Sequence, residues 1–246
     1  MHKLYNKVPK RIYLTFCDNQ TYQRFAVVGY PRTGSNYLIT GLDTSPCLRM
    51  YAEIFAERYR EKGRNFDLIL SQVFQKESRH IKAVGFKVFD HHLTEDEWNK
   101  FVSYKEFKII HLTRENRLRA IVSHYIGEKT HQHFSYAEKV IEPKEKRVSL
   151  DISKLIDSLE KFEKTETLTK ERFRGRQLLE VVYENLVRKP RQEFECMGDF
   201  LGVSGIDSDR IPLTRQNPEE LEQLIINYDA VYRLLKNTKF AKYLSS

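Results

Sequence analysis

Residues 25–39 read FAVVGYPRTGSNYLI, a short apolar run followed by a turn rich in glycine and proline and then by the polar start of a second apolar run. A short apolar run closed by such a turn is typical of a buried strand. Ser35 or Asn36 is then expected to cap a helix over residues 37–42. Strand, loop and helix in this order predict a phosphate site, because the loop N–H groups and the helix N-terminus present donors and partial positive charge to an anion.

The spacing of two glycines narrows the kind of phosphate site. Gly29 and Gly34 are separated as in the Walker A pattern GxxxxGK[ST], but Ser35 stands at the position of the lysine and Asn36 at the position of the magnesium-binding hydroxyl. The loop therefore disfavours an ordinary ATPase or GTPase.

The other polar groups of the loop suit a phosphate without the Walker lysine. Thr33 and Ser35 can hold a 5′-phosphate together with backbone amides, and Arg32 can neutralise charge that develops on a transferring group. The alternative is a glycine turn with an incidental arginine.

Length and charge set limits on the rest of the molecule. The 246 residues suit a single α/β domain over residues 1–246. The formal net charge of +8 favours an anionic partner, which leaves nucleic acid, a membrane surface and a phosphorylated cofactor open.

Scattered cysteines without CxxC spacing predict neither a zinc site nor a disulfide framework. No apolar run is long enough for a signal peptide or a transmembrane helix, so we expect a cytoplasmic protein without an integral membrane segment.

Strands and helices alternate along the chain. Apolar runs predict strands over residues 81–89, 107–113 and 178–184. Helical periodicity predicts helices over residues 52–63, 114–127, 150–168 and 185–202, and the polar stretch 131–148 is interpreted as a loop or lid. The alternation implies a three-layer α/β/α fold with a central, mainly parallel sheet and a P-loop-like phosphate loop, whose ligand lies at the carboxyl ends of the strands.

Four segments, in order, resemble a known family. YPRTGSNYL (30–38) resembles the 5′-phosphosulfate-binding loop of sulfotransferases that use 3′-phosphoadenosine 5′-phosphosulfate (PAPS), in the arginine-bearing form of the NodH-like and Stf0-like bacterial enzymes and several carbohydrate sulfotransferases. IIHLTRENRLRAIVSHYIG (109–127) resembles the family's second element, and VVYENLVRKPRQEFECMGDFLGV (181–203) and LTRQNPEELEQLIINYDAVYRLL (213–235) resemble its later segments. The resemblance covers most of the chain from residue 25 onward.

The resemblance implies how the donor's 3′-phosphate is held. In the family, an arginine at a strand end and a serine nine positions later grip this phosphate, and Arg114 and Ser123 stand at these positions. The two can bracket one anion only if the chain bends back between them. Alternatively, Arg114 begins an exposed helix; Arg117 and Arg119 are expected to be solvated in either case.

Two further residues are open to two interpretations each. Tyr183 is expected to be a plain sheet aromatic, and the alternative that the resemblance implies is a contact on the adenine side of the donor. Arg215 is expected to reach the 3′-phosphate, unless it is an exposed loop arginine. The expected donor-binding residues are Arg32, Thr33, Gly34, Ser35, Asn36, Tyr37, Arg114, Ser123, Tyr183 and Arg215.

Sulfuryl transfer also needs charge stabilisation and a base for the acceptor proton. Arg32 is expected to stabilise the bridging oxygen and the leaving phosphate, and Lys87 to reach the sulfonate, unless Lys87 is a solvent-facing strand lysine. Glu53 lies where NodH-like and Stf0-like enzymes carry a glutamate, and His91 or His92 lies where many relatives carry a histidine. Glu53 is the preferred base, with His91 and then His92 as alternatives. No metal is required for this chemistry.

The sequence therefore predicts a sulfotransferase that uses PAPS, releases adenosine 3′,5′-bisphosphate (PAP) and modifies a hydroxyl of a carbohydrate or glycolipid, without a nucleic-acid partner. The alternatives are a small-molecule nucleotide-dependent kinase and a non-catalytic nucleotide- or nucleic-acid-binding protein. A kinase needs the lysine and the magnesium ligand that the loop lacks. The basic residues are interspersed with acidic ones and form no recognisable nucleic-acid-binding module.

Overall fold

The computed structural model describes residues 17–19, 21–60, 63, 65–131, 142–213 and 217–245. The strands are β1 (Cys17–Asn19), β2 (Gln23–Gly29), β3 (Leu48–Tyr51), β4 (Glu77–Ser78), β5 (Ala83–Phe89), β6 (Phe107–Thr113) and β7 (Leu178–Val182). The first six helices are α1 (Ser35–Leu42), α2 (Glu57–Arg60), α3 (Phe66–Val73), α4 (Glu95–Ser103), α5 (Arg117–Thr130) and α6 (Pro143–Lys146). The others are α7 (Ile152–Arg172), α8 (Tyr183–Arg188), α9 (Pro190–Leu201), α10 (Leu221–Leu224) and α11 (Tyr228–Leu235). None of these described helices is long and apolar enough to cross a membrane.

Five parallel strands form the central sheet in the order β3-β5-β2-β6-β7, and β1 and β4 pair separately as a small antiparallel sheet. Gly29, the last residue of β2, is level with Phe89 on β5 and with Leu112 on β6. The segments that follow these strands therefore begin at one edge of the sheet. This confirms the predicted α/β class and the position of the loop at the carboxyl ends of the strands.

Each face of the sheet is covered by helices. On one face, β2, β5 and β6 pack against α3 and α4, with Phe86 and Trp98 among the fully buried side chains. On the other face, Phe25 and Ile110 pack against α1 and α9 through Leu38 and Phe194. Burial of each such side chain contributes roughly 1.5–3 kcal/mol relative to exposure, so the sheet is a rigid support for the loops at its edge.

Helix α1, which follows β2, begins earlier than the sequence predicted. Gly34, and neither Ser35 nor Asn36, stands at the N-cap of α1, and no side chain caps the helix. Gly34 has φ 87°, and a Cβ there would lie 2.2 Å from a ring carbon of Tyr183. Only glycine fits at this position, because a side chain would be strained by the backbone and would collide with the ring.

Two other boundaries also differ from the prediction, and both affect the site. The helix expected over residues 114–127 begins at Arg117, because the side chain of Asn116 caps it by accepting from the N–H of Arg119. Arg114 therefore remains in the connection between β6 and α5. The strand expected over residues 178–184 ends at Val182, and Tyr183 begins α8. The interpretation of Tyr183 as a sheet aromatic was wrong.

The remaining differences have local causes. The helix expected over residues 185–202 is two helices, since Pro190 begins a second one; this helix ends before Gly202, as predicted. In the region 52–63, of which residues 61 and 62 lie outside the described part, Glu57–Arg60 is the described helical stretch. Strand β3 was not predicted, because its four residues, LRMY, carry no clear alternation. Within the expected loop 131–148, residues 132–141 lie outside the described part of the chain, and Pro143–Lys146 is a short helix.

Candidate active site

A cleft of about 480 Å³ opens at the carboxyl edge of the sheet. It brings together most of the residues that the sequence singled out: Arg32, Gly34, Ser35, Asn36, Tyr37, Glu53, Lys87, His91, His92, Arg114, Ser123 and Tyr183. Thr33 lies beneath the cleft, fully buried, and its hydroxyl donates to the carbonyl of Tyr30 at 2.7 Å, which closes the turn. Arg215 lies outside the described residues.

The loop between β2 and α1 presents backbone donors to the cleft. Arg32 has φ 66°, a left-handed conformation that is uncommon for a residue with a side chain, and Gly34 is left-handed two residues later. The loop therefore turns tightly into α1, which begins at Ser35. The first N–H groups of a helix have no carbonyl partner within it, so they are available to an anion.

Lys87 supplies the cation that the loop itself lacks at position 35. Its side chain is only 2% exposed, and its Nζ donates to Asn36 Oδ1 at 2.7 Å and to Ser35 Oγ at 3.4 Å. Nζ also lies 2.8 Å from Glu53 Oε1. The interpretation of Lys87 as a solvent-facing strand lysine was wrong, because a buried ammonium group requires such partners.

Glu53 reaches Lys87 because β3 ends two residues before it. The N–H of Lys87 donates to the carbonyl of Ala52 at 3.3 Å, which fixes the backbone beside the ion pair. Burial raises the pKa of Glu53, but the Lys87 ammonium, helped by Arg58, outweighs it and holds that pKa below its usual value. Burial lowers the pKa of Lys87, and Glu53 partly offsets this effect. We call Lys87, Glu53 and Asn36 the Lys87 end of the cleft.

Arg114, Ser123 and Tyr183 form the opposite side, which we call the Arg114 end. The guanidinium of Arg114 donates to the carbonyl of Arg32 at 2.9 Å and lies 4.6 Å from the centre of the Tyr183 ring. Its carboxylate neighbour is Glu184, with Nε and Oε1 separated by 3.8 Å. Arg114 is 8% exposed, so the interpretation as the start of an exposed helix was wrong.

Ser123 connects the Arg114 end to the loop. Its Oγ accepts from Nε and Nη2 of Arg32, at 3.1 and 3.0 Å, and from Nδ2 of Asn217 at 3.3 Å. A hydroxyl both accepts and donates, so Ser123 is also able to donate to an acceptor that is bound in the cleft. The expected bend is present, since the connection between β6 and α5 brings Ser123 and Arg114 to one cleft.

The two histidines lie in a short 3₁₀ turn, Asp90–His92, directly after β5. Nδ1 of His92 accepts from the N–H of Phe89 at 3.1 Å, so the neutral ring carries its proton on Nε2. Burial, helped by the neighbouring His91, lowers the pKa of His92 to about 4. Loss of hydration also lowers the pKa of His91, which lies at the cleft rim. Both rings are therefore neutral at neutral pH.

Other groups of the cleft were not singled out by the sequence. Asn217 lies in an irregular segment, and no motif marks it. Arg119 was expected to be solvated, but it is 8% exposed and lines the cleft. Arg117 was also expected to be solvated and instead pairs with Glu166 and Glu163 of α7. Both arginines contact segments far away along the chain, which a local pattern does not reveal.

Comparison with known proteins identifies the family. A family model described as the sulfotransferase domain matches residues 23–242. The chain belongs to this family. The match confirms the family expected from the sequence motifs, and no curated protein was found to be similar to this sulfotransferase by sequence.

Solved sulfotransferase structures are similar to this chain, and the first of those that follow shows the shared fold. A sulfotransferase from Alicyclobacillus acidocaldarius is 16% identical with a TM-score of 0.53, over 90% of this chain and 92% of that one. Mouse sulfotransferase SULT7A1, solved in complex with PAP, is 17% identical with a TM-score of 0.46; the match covers 79% of this chain but only 62% of the mouse one. The sulfotransferase domain of the Synechococcus PCC 7002 olefin synthase is 18% identical with a TM-score of 0.46, over 89% and 90% of the two chains.

Proposed function

We propose that this sulfotransferase transfers the sulfuryl group of PAPS in line to a hydroxyl of a carbohydrate or glycolipid. One observation carries the proposal: Arg32, Lys87 and Arg114 converge on one cleft together with the start of α1. Three cations and a helix N-terminus suit a donor with phosphates at two positions. When bound, PAPS supplies the sulfuryl group and leaves as PAP.

The residues present fit such a donor. The glycine at position 34 lets the Tyr183 ring lie directly against the loop, because a Cβ there would be 2.2 Å from a ring carbon. The 5′-phosphosulfate would then lie at the loop and Lys87. The 3′-phosphate would lie at the Arg114 end, where the guanidinium of Arg114 and the hydroxyl of Ser123 would donate to it. Tyr37 and Tyr183, which line the same cleft, would hold the adenine.

Arg32 and Lys87 would stabilise charge during transfer. The guanidinium of Arg32 donates to Ser123 through Nε and Nη2, so its orientation in the cleft is already fixed. Lys87 is held by Asn36 and Glu53. Preorganised cations of this kind stabilise charge that develops on the bridging oxygen, because they do not have to reorient during the reaction.

The acceptor proton needs a base, and the geometry ranks the three possible residues. His92 is the weakest, because its Nδ1 is occupied by the Phe89 N–H and its Nε2 carries a proton. Glu53 is ionised beside Lys87, and we propose it as the base. His91 is the alternative, since its ring is neutral at the rim. With Glu53 as base, turnover declines below the ordinary glutamate pKa, whereas with His91 it declines below the ordinary histidine pKa.

The other side chains that line the cleft support a polar acceptor. Glu53, Arg58, His91 and His124 are polar or charged, and Phe89 is a buried aromatic neighbour. Sugar hydroxyls suit such a surface better than a flat aromatic acceptor does. The arginine-bearing loop, which resembles that of carbohydrate sulfotransferases, points in the same direction.

The experiment is transfer of label from [³⁵S]PAPS to a panel of neutral and acidic oligosaccharides and glycolipids, with EDTA present. We expect label in at least one acceptor with the wild-type chain, and a loss of roughly 100-fold or more in the Arg32→Ala variant. A matched control is Arg191→Ala, because Arg191 is exposed and pairs with Asp209 on the surface. Binding of PAP without transfer to any acceptor would show a non-catalytic nucleotide-binding protein instead.

A further inference from the structure

The segment 217–226 forms the wall of the cleft that faces Ser123. Asn217, Leu221 and Leu224 line the cleft, and Asn217 Nδ2 donates to Ser123 Oγ at 3.3 Å. This contact places the start of the segment directly beside the Arg114 end. The position of Asn217 therefore affects the group that would hold the 3′-phosphate.

Two buried cations hold the segment near Asn217. Lys146 Nζ donates to Glu219 Oε1 at 2.7 Å, and Arg119 Nη1 donates to the carbonyl of Glu219 at 3.0 Å. Lys146 is 4% exposed and Arg119 is 8% exposed. Removing two cations from water is costly, so their convergence on one residue marks Glu219 as a fixed point of the chain.

The other part of the segment is held in a different way. The N–H of Val148 donates to the carbonyl of Leu224 and the N–H of Ile226 donates to the carbonyl of Val148, both at 2.8 Å. The side chains of Leu221 and Leu224 are buried in the core cluster that includes Leu118 and Val122. Loss of Lys146 would therefore release the part near Asn217, while these backbone bonds and leucines keep the rest docked.

We propose that Lys146 and Arg119 are positioning residues for donor binding: by fixing Glu219 they keep Asn217 on Ser123, and so they set the affinity for the donor's 3′-phosphate. The inference rests on the proposed function, because it assumes that Ser123 and Arg114 hold that phosphate. By this proposal, Lys146 and Arg119 do not touch the reacting atoms, and they still govern which nucleotide binds.

The test is calorimetric titration of the full chain with PAP and with adenosine 5′-monophosphate (AMP), which lacks the 3′-phosphate. The variants are Lys146→Met, its conservative counterpart Lys146→Arg, and Asn217→Ala. The control is Lys170→Met, which removes an exposed ion pair of the same length, 2.7 Å to Glu180, from α7. We expect Lys146→Met and Asn217→Ala to weaken PAP binding about tenfold and AMP binding less than about twofold, as for a displaced hydrogen-bonding group. Lys146→Arg is expected to restore most of the PAP affinity.

Equal weakening of PAP and AMP, or no change for PAP, would overturn the positioning role. A wild-type chain that does not prefer PAP to AMP would overturn the proposed donor and the inference with it, so the wild-type titration separates the two failures. Thermal unfolding of each variant accompanies the titrations. If Lys146→Met does not fold, unchanged PAP affinity in Asn217→Ala still overturns the proposal, because this variant removes the contact with Ser123 without disturbing the buried charges.

Discussion

The two ends of the cleft hold their cations by different means. At the Lys87 end, the buried ammonium is neutralised by Glu53 at 2.8 Å. At the Arg114 end, the guanidinium is held by a carbonyl and an aromatic ring, with the carboxylate of Glu184 more distant at 3.8 Å. Among the described contacts, a carboxylate therefore approaches Lys87 more closely than Arg114.

This difference indicates that the two ends of the cleft have different roles in donor binding and in catalysis. An anion at the Lys87 end must share its cation with Glu53, so it gains little affinity there. An anion at the Arg114 end gains a charge-assisted hydrogen bond from a guanidinium whose neighbour Glu184 lies farther away, at 3.8 Å. We infer that the Arg114 end supplies donor affinity, whereas the Lys87 end acts mainly during transfer.

The largest expected effect is at the Lys87 end. Lys87→Met removes a cation that would stabilise the developing charge, and we expect kcat with PAPS to fall by about 10²–10³-fold. PAP carries no sulfuryl group, so we expect its affinity to change by less than about threefold, as measured by calorimetry. A large loss of PAP affinity with unchanged kcat would reverse the assignment of the two ends.

The next effect belongs to the Arg114 end. Arg114→Ala is expected to weaken PAP binding by about 1.5–3 kcal/mol, the value of a charged hydrogen bond, and to leave AMP binding nearly unchanged. Calorimetry with both nucleotides measures this difference. If AMP is weakened as much as PAP, Arg114 does not hold the 3′-phosphate.

The third prediction concerns how acid changes the stability of the folded chain through His92, which lies beside the Lys87 end. The pKa of His92 is about 4 in the folded chain, below its ordinary value, so the unfolded chain binds more protons in weak acid. The stability that neutral His92 contributes is present above the ordinary histidine pKa and is lost as the pH falls toward 4. Allowing for solvent screening, we expect the free energy of unfolding to decrease by about 1–2 kcal/mol through this range.

Urea unfolding of the wild type and His92→Gln at neutral and acidic pH measures this effect. The glutamine can still accept from the N–H of Phe89, so the variant removes the titration and retains an acceptor. An identical loss of stability in both chains would assign the acid sensitivity to other groups. One such group is His111, buried in the sheet, whose pKa burial also lowers to about 4.

The smallest effect concerns Ser123. Ser123→Ala removes one neutral hydroxyl from the Arg114 end, and we expect PAP binding to weaken by about 1 kcal/mol. Ser158→Ala is the matched control. The hydroxyl of Ser158 donates to the carbonyl of Lys154 on an exposed face of α7. An effect of Ser123→Ala as large as that of Arg114→Ala would mean that Ser123 acts mainly by holding Arg32.

The local parts of the fold and the site could be predicted from the sequence. The loop around Gly34 and the spacing of Arg114 and Ser123 are patterns within short segments, so their convergence followed from the parallel sheet. The exact start of α1 did not follow, because it depends on the Tyr183 ring, which is distant in the sequence.

The contacts that complete the site join distant segments. Glu53 pairs with Lys87 only because the short edge strand β3 carries it there, and four residues without alternation do not predict a strand. Asn217 and Arg119 reach the cleft through contacts about a hundred residues away along the chain, such as the bond from Arg119 to Glu219. No periodicity or spacing encodes such contacts.

The most direct measurement is calorimetric titration of the wild-type chain with PAP and with ATP, both in EDTA. ATP has phosphates only on the 5′ side, so it cannot use the Arg114 end as PAP does. We expect micromolar or tighter binding of PAP and at least about tenfold weaker binding of ATP, a difference in binding free energy of about 1.4 kcal/mol or more. Equal affinities, or no binding of PAP, would contradict a donor site built around Arg114.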